Sequence, residues 1–129
     1  MSQFTDAIAQ FQQEANERLR DTFAVVVRET EQSVKFGSPI TGTLGIPVDT
    51  GAARNSVVAE RLGPFDWQIT GTGRGLNEKT SEMEDVGYLR HIEENVRGVT
   101  FHSGGPHFFS STVTEFDKIV DAAVREVAQ

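Results

Sequence analysis

"SVVAERLGPFDWQIT", Ser56–Thr70, contains two short segments with the residue pattern of β-strands. Its first half is rich in β-branched residues, and Gly63-Pro64 supplies a turn. After the turn, polar residues alternate with Phe65, Trp67 and Ile69, so one face of the second half is apolar. The stretch therefore predicts an antiparallel β-hairpin.

A long helix is predicted before the hairpin. Its apolar residues recur every three or four positions and are Phe4, Ile8, Phe11, Ala15, Leu19, Phe23, Val26, Thr30 and Val34. Ser2 is a suitable cap and Gly37 a stop. The mean spacing of about 3.75 residues exceeds the helical 3.6, so the stripe drifts around the helix. Either the helix bends or breaks near its middle, or its first half packs on something other than the domain's own core, such as a neighbouring subunit.

Two helices and a further strand are predicted after the hairpin. The apolar face formed by Tyr88, Leu89, Ile92 and Val96 predicts a short helix, and Val99 and Phe101 predict a strand of the same sheet. Thr112–Glu115 has the pattern of a capping box at the start of a last helix. The whole order predicts an α+β fold, in which a long N-terminal helix and a C-terminal helix pack on a small antiparallel sheet with a short helix between.

Composition limits the function classes. A chain of 129 residues is expected to form a single domain, spanning residues 1–129. The absence of cysteine excludes disulfides, thiolate metal sites and a cysteine nucleophile. No apolar run approaches the length of a membrane span, and residues 1–20 are too polar for a signal peptide. The net charge of −7, without a basic patch, argues against ordinary nucleic-acid binding.

Two segments are predicted to be flexible loops, at 37–48 and 71–87, because both are rich in glycine and polar residues. The first also contains the apolar residues Ile40, Leu44 and Ile46, which a solvated linker does not need. We expect it to be mobile in the free subunit and to order against a neighbour, as a candidate inter-subunit loop. The second resembles a phosphate-binding loop only superficially, because it lacks the terminal Gly-Lys-Ser/Thr.

"PVDTGAARNS", Pro47–Ser56, looks at first like a chemical site. Its residues are better interpreted as architecture: Asp49 or Thr50 can cap a short helix, and Gly51 relieves crowding where the chain turns. Arg54 is expected to face solvent or a partner carboxylate. The stretch is then a corner between a loop, a short helix and a strand.

No catalytic, cofactor or metal site is predicted. His91, His102 and His107 lie near Glu93, but their spacing fits no standard zinc pattern. The serines show no nucleophile-elbow signature. The rival hypothesis of a different class is a small metal-dependent hydrolase that uses these histidines and Glu93.

Three stretches in register carry a resemblance: "PVDTGAARNSV", "GYLRHIEENVRG" and "GGPHFFSSTV". They resemble motifs of the gene-product-ten-like tail-component family of lambda-type tailed bacteriophages, which includes minor tail protein Z and related neck or tail-completion proteins. The matching positions, carried over as architectural or assembly positions only, are Pro47, Asp49, Thr50, Gly51, Arg54, Ser56, Tyr88, Ile92, Glu93, Pro106, Phe108 and Phe109.

The resemblance implies a non-enzymatic virion protein without a cofactor. It would form a homo-oligomeric ring, expected to be a hexamer, that joins the head connector to the tail tube. Its neighbours would be head-closure and tail-terminator or tail-tube proteins, and DNA would pass through the lumen without specific binding. It would be found in the virion, after assembly in the host cytoplasm. A tail terminator or head-closure protein is the nearest alternative.

Overall fold

The structure is a computed structural model that describes residues 2–95, 98, 101 and 103–129. Its elements are α1 (Gln3–Phe36), α2 (Ala52–Asn55), β1 (Val57–Gly63), β2 (Asp66–Gly71), β3 (Arg74–Asn77), β4 (Glu82–Asp85), α3 (Leu89–Glu94), α4 (Phe108–Thr114) and α5 (Phe116–Ala128). This is the predicted α+β fold, with long N-terminal and C-terminal helices and a short helix between them. Within the described ranges, no helix has both the length and the apolar character needed to cross a membrane.

Helix α1 is a single uninterrupted helix of 34 residues. The Oγ of Ser2 accepts a hydrogen bond from the backbone N–H of Thr5 at 3.1 Å, and the helix ends at Gly37, so both predicted ends are confirmed. Residues 2–21 are all exposed. Of the two alternatives left by the drifting stripe, the helix therefore does not break, and its first half projects beyond the domain's own core.

The predicted hairpin is confirmed. Strand β1 pairs antiparallel with β2, with Val57 opposite Gly71 and Arg61 opposite Trp67. The turn packs on α1 through Phe65 and Phe23, whose rings meet edge to face with centroids 5.9 Å apart. This contact fixes the hairpin against the middle of α1.

A second hairpin occupies part of the segment 71–87, where the sequence predicted a flexible loop. Strand β3 pairs antiparallel with β4, from Arg74 opposite Asp85 to Asn77 opposite Glu82. The apolar alternation that marks a strand is missing because the buried residue of β3 is Gly75. A Cβ at Gly75 would collide with the carbonyl of Ala52, so β3 lies directly against the backbone of α2.

The strand predicted at Val99 and Phe101 falls largely outside the residues that the structure describes. Val99 lies outside the described residues, and Phe101 lies outside the four strands. Helix α3 agrees with the predicted short helix, although Val96 is also outside the described residues. Where the sequence predicted one small antiparallel sheet, the described residues form two separate two-stranded sheets, β1 with β2 and β3 with β4.

The core lies where the C-terminal end of α1 meets α2, the start of β1, and α4. Its buried apolar residues are Val34, Ile46, Ala52, Ala53, Val57, Val86 and Phe108. Ile119 and Ala123 of α5 are also buried, and α5 packs on α1. The apolar core is therefore concentrated at one end of the long helix.

The segment 37–48 differs from its expected behaviour because part of it belongs to this core. Ile46 is completely buried, and Ser38 forms an isolated antiparallel bridge with Thr43. Ile40 is half-buried, whereas Leu44 is 68% exposed. Of the three candidate inter-subunit residues, Leu44 alone presents most of its side chain to solvent.

The capping box predicted at Thr112–Glu115 is wrong. Thr112 lies inside α4 and is buried, and its hydroxyl donates to the carbonyl of Phe108. The Thr112 and Ser33 hydroxyl oxygens are 2.7 Å apart. The local pattern was misleading because Thr112 packs against α1 inside α4, which begins four residues earlier at Phe108.

Candidate functional site

An open groove of about 490 Å³ brings two of the three motif stretches together. Its lining includes Pro47, Asp49, Thr50, Gly51, Tyr88 and Ile92, all of which the sequence marked as architectural positions. We call it the Thr50 groove. The segment before α2 forms one side, and α3 with its preceding turn forms another.

Thr50 organises one wall of this groove. The Thr50 hydroxyl donates to Oε2 of Glu84 at 3.0 Å. The Thr50 Oγ1 also accepts a hydrogen bond from the N–H of Ala52 at 3.3 Å. Its carbonyl accepts a hydrogen bond from the N–H of Glu78 at 2.7 Å. Thr50 therefore helps to cap α2, as predicted, and also ties α2 to the second hairpin.

Gly51 has the role that the sequence predicted, and of the two alternative caps, Asp49 and Thr50, the structure uses Thr50. Gly51 adopts a left-handed conformation with φ of 84°, and a Cβ there would approach the Glu78 side chain to 2.7 Å. The Asp49 side chain is 93% exposed and lies 3.5 Å from Nζ of Lys79. The predicted cap is thus supplied by Thr50, and Asp49 presents its carboxylate at the rim of the groove.

Arg54 is directed at a helix end, which corrects the expectation that it faces solvent or a partner carboxylate. Its Nε donates to the carbonyl of Lys35 at 3.0 Å, and its guanidinium lies 4.4 Å from the ring centroid of Phe36. A cation at the last turn of a helix satisfies free carbonyls and interacts favourably with the helix dipole. Arg54 therefore attaches α2 to the end of α1.

Ser56 completes the corner between α2 and the first hairpin. It is buried, and its hydroxyl donates to the carbonyl of Ala53 at 2.6 Å. Its carbonyl accepts hydrogen bonds from both the N–H and the hydroxyl of Thr72. The stretch from Thr50 to Ser56 thus works as a corner, as predicted.

Glu93 links the second motif stretch to the third. Its carboxylate accepts hydrogen bonds from the N–H of Phe109 at 3.0 Å and of Ser110 at 2.7 Å. A carboxylate at the first turn of a helix satisfies free N–H groups and is stabilised by the helix dipole. Glu93 therefore caps α4, a role that the sequence analysis did not assign to it.

The third stretch fixes the start of α4 in the core. Phe108 is completely buried, and Phe109 packs beside it with ring centroids 5.3 Å apart. Pro106 is half-buried in the turn before the helix, and the N–H of His107 donates to the carbonyl of Glu93. All three motif stretches are thereby connected by hydrogen bonds or shared packing.

The Thr50 groove has an acidic and aromatic character. Partial burial, followed by the negative charges of Glu84 and Asp49, raises the pKa of the Tyr88 phenol above its usual value of about 10. Phe101 adds a second ring to the lining. Such a surface suits an apolar or cationic side chain of a partner protein better than an anion.

Of the three histidines, the two that the structure describes, His91 and His107, do not form a metal site with Glu93. His91 and His107 are exposed on separate elements, and His102 lies outside the described residues. Across residues 2–95, 98, 101 and 103–129, no three acidic or histidine side chains are placed to hold a metal ion. The Glu93 carboxylate instead receives two backbone N–H groups.

Sequence reasoning missed a cluster of buried hydroxyl groups that joins α1, the segment 37–48 and α4. The Oγ of Ser33 lies 2.6 Å from the hydroxyl of Thr41, 2.9 Å from that of Thr43 and 2.7 Å from that of Thr112. Ser33 neighbours Val34 on the inner side of α1, and this position could have suggested burial. Its partners could not be identified, because they are eight to 79 residues away.

The chain matches no protein-family model, no curated protein and no solved structure.

Proposed function

We propose that the chain is a structural virion protein of a tailed bacteriophage, a neck or tail-completion component that assembles as a ring between the head connector and the tail tube. The observation that carries the proposal is the convergence of the three resembling stretches. The first is well separated in the chain from the other two, which are near neighbours, and all three meet through the Thr50 groove and the Glu93 cap. The resemblance supplies the phage role, and the structure supplies a connected site for it.

The chemistry of the convergent residues supports an architectural role. Thr50, Arg54 and Glu93 each use their polar groups on the backbone of another element. A catalytic group must instead reach a reacting atom of a substrate. These side chains therefore fix a shape, which is the property that an assembly component needs.

The charge of the chain also supports the proposal. A net charge of −7 repeated around a lumen would repel the phosphates of DNA, so that DNA could pass without adhering. Leu44, an exposed apolar residue of the segment 37–48, is available for a contact between subunits or with a neck partner.

The test is a gene deletion in the phage that encodes the chain, followed by electron microscopy of the particles. We expect separate heads and tails, with joined particles restored by the wild-type chain expressed from a plasmid. A chain in which His91, His102 and His107 are all changed to Gln should restore joining equally well. Joined particles in the deletion strain would contradict the proposal, and so would loss of joining in a triple-histidine variant that keeps its melting temperature.

A second pair of variants separates assembly from folding. Leu44→Ser should reduce the fraction of joined particles and leave the melting temperature unchanged, because the side chain is already exposed. Ile46→Ser, two residues away, should lower the melting temperature because it places a hydroxyl in the core. Normal joining with Leu44→Ser would remove the segment 37–48 from the assembly surface.

A further inference from the structure

Residues 38–44, which we call the flap, bury polar side chains and expose an apolar one. Ser38, Thr41 and Thr43 are 7%, 7% and 8% exposed, whereas Leu44 is 68% exposed. Burial of a hydrogen-bonded hydroxyl contributes little to the free energy of folding, while burial of an aliphatic side chain contributes strongly. The flap therefore gains little hydrophobic stabilisation from lying against the rest of the domain.

The two ends of the flap meet at a pair of glycines. Gly37 and Gly45 have positive φ values of 89° and 81°. A Cβ at Gly45 would lie 2.5 Å from the backbone nitrogen of Gly37, so the two backbones are in direct contact. The N–H of Gly37 donates to the carbonyl of Ser33, and the carbonyl of Gly45 accepts a hydrogen bond from the N–H of Gly105. Both glycines are thus attached to other elements on the side away from the flap.

The backbone of the flap forms its hydrogen bonds internally. The N–H of Ser38 donates to the carbonyl of Thr43 at 3.0 Å, and the N–H of Gly42 donates to the carbonyl of Ser38 at 2.8 Å. Within the part of the chain that the structure describes, the flap bonds to other elements only through the hydroxyls of Thr41 and Thr43, and both are directed at Ser33. One serine of α1 therefore receives all of these bonds.

The hydroxyl groups around Ser33 contain too few protons to bond all of their neighbours. The Ser33 Oγ lies 2.6–2.9 Å from three hydroxyl oxygens, those of Thr41, Thr43 and Thr112. The Thr112 proton is donated to the carbonyl of Phe108, and the Thr43 proton is donated to the carbonyl of Ser33. Ser33 and Thr41 supply one proton each, so one of the three short approaches to Ser33 has no proton. The flap is therefore held more weakly than its distances suggest.

We propose that the flap opens as a unit about Gly37 and Gly45, while Ile46 and the remaining core stay folded. Ile46 follows the second glycine and belongs to the core, because its side chain is completely buried and its N–H donates to the carbonyl of Lys35. Opening separates the flap hydroxyls from Ser33, and water can bond the freed groups. A segment with so little buried apolar surface opens at a free energy below that of global unfolding.

Opening gives the flap a reach that its closed position lacks. Half of the flap, about four residues, extends roughly 13 Å when fully stretched. Glycine at each hinge tolerates the required change in φ. The domain can thus present Ile40 and Leu44 at a distance from the core without unfolding. This opening is a property of the single chain and does not depend on the proposed function.

The test is amide hydrogen exchange of the wild-type chain, measured by NMR at several low urea concentrations where opening and closing are faster than exchange. The N–H groups of Ser38 and Gly42 report on the flap, and that of Ile46 reports on the core. After correction for intrinsic rates, the two flap amides should share one opening constant, about tenfold or more above that of Ile46. That constant should be nearly independent of urea, because flap opening exposes little surface.

A urea dependence at Ser38 and Gly42 equal to that at Ile46 would overturn the proposal, since the flap would then open only on global unfolding. Clearly different opening constants at Ser38 and Gly42 would also overturn it, because the flap would not move as a unit.

A core variant tests whether the flap opens independently. Ile119→Val removes a methylene from a completely buried side chain of α5 and should raise the opening constant at Ile46 about fivefold. The opening constants at Ser38 and Gly42 should not change, because flap opening leaves α5 packed. A parallel increase at all three amides would overturn the proposal.

The attachment of the flap is tested by Ser33→Ala, which removes the shared hydroxyl. The opening constant at Ser38 and Gly42 should rise about tenfold, as expected for the loss of a buried hydrogen bond. The matched control is Thr30→Ala, which removes a hydroxyl that donates to the carbonyl of Val26 within the same helix, and it should leave flap opening unchanged. Equal opening constants in the two variants would overturn the role of Ser33 in closing the flap.

Discussion

The two halves of α1 carry the same kind of apolar stripe and end in opposite environments. In the first half Phe4 and Phe11 are more than 70% exposed, whereas in the second half Val34 is 2% exposed and Ser33 is completely buried. The first half is an extension of an anchored helix, and extending a helix is much easier than nucleating one. An apolar periodicity therefore predicts a helix and its apolar face, but it does not identify what covers that face.

The largest difference in stability between the two regions should appear when a phenylalanine side chain is truncated to alanine. Phe108→Ala should lower the free energy of unfolding by about 3–5 kcal/mol, because Phe108 is completely buried and its loss leaves a cavity. Phe11→Ala should change the stability of the monomer very little. Denaturant unfolding at a concentration where the chain is monomeric would measure both, and equal losses would show that the first half of α1 is not projecting.

The next largest effect concerns the cap of α4. Glu93→Ala should cost about 1–2 kcal/mol, because two N–H groups at the start of α4 lose their acceptor. Glu94→Ala is the matched control, since Glu94 forms an exposed ion pair with Arg90 and such pairs contribute about 0.3–0.5 kcal/mol. The melting temperatures of the two variants are compared. Equal decreases in melting temperature would show that Glu93 does not cap α4.

A smaller effect is expected at the turn before α2. Gly51→Ala should cost about 1 kcal/mol, because an L-residue is strained at a φ of 84° and its Cβ displaces the Glu78 side chain. Gly63→Ala should be close to neutral, since a Cβ there has only ordinary contact with Asp66. Chemical denaturation of both variants tests the turn geometry, which is wrong if the two costs are the same.

The smallest effect is the ionisation of Tyr88, the single tyrosine of the chain. The ultraviolet absorbance of tyrosinate therefore reports on the Thr50 groove alone, and we expect its midpoint above pH 10. Because the pKa is higher in the folded state than in the unfolded state, the stabilising contribution is present below about pH 10 and is lost as the pH rises through the folded pKa. Glu84→Gln should lower the midpoint of this titration. An unchanged midpoint would show that the charge of Glu84 does not raise the pKa of Tyr88.

The sequence predicted the elements whose signals are local. The ends of α1 at Ser2 and Gly37, the first hairpin and the turn at Gly51 all follow from residues close to one another in the chain. The second hairpin was missed because Gly75 is its buried residue, and Leu76 and Met83 point their apolar side chains outward. A strand of this kind carries no apolar alternation.

The sequence predicted which residues belong to the candidate site, but it did not predict which residues they form hydrogen bonds with. Thr50 was one of the two residues predicted to cap α2, yet its hydrogen bond to Glu84 spans 34 residues. A capping box was predicted at Thr112–Glu115 for the last helix because a local pattern was available there, whereas α4 is capped by Glu93 from 16 residues away. Partners at such separations depend on the packing of the whole domain, which no local pattern records.

The first half of α1 projects from the point where the contact between Phe23 and Phe65 holds the helix. This half extends about 27 Å from the place where the hairpin holds the helix, so a rotation of about 10° there would move the tip by about 5 Å. Two threonines near the pivot, Thr22 and Thr30, donate hydrogen bonds to the carbonyls of Arg18 and Val26, a pattern that often bends helices. Small changes in how the Phe23 and Phe65 rings pack would thus change the position of the N-terminal tip of α1.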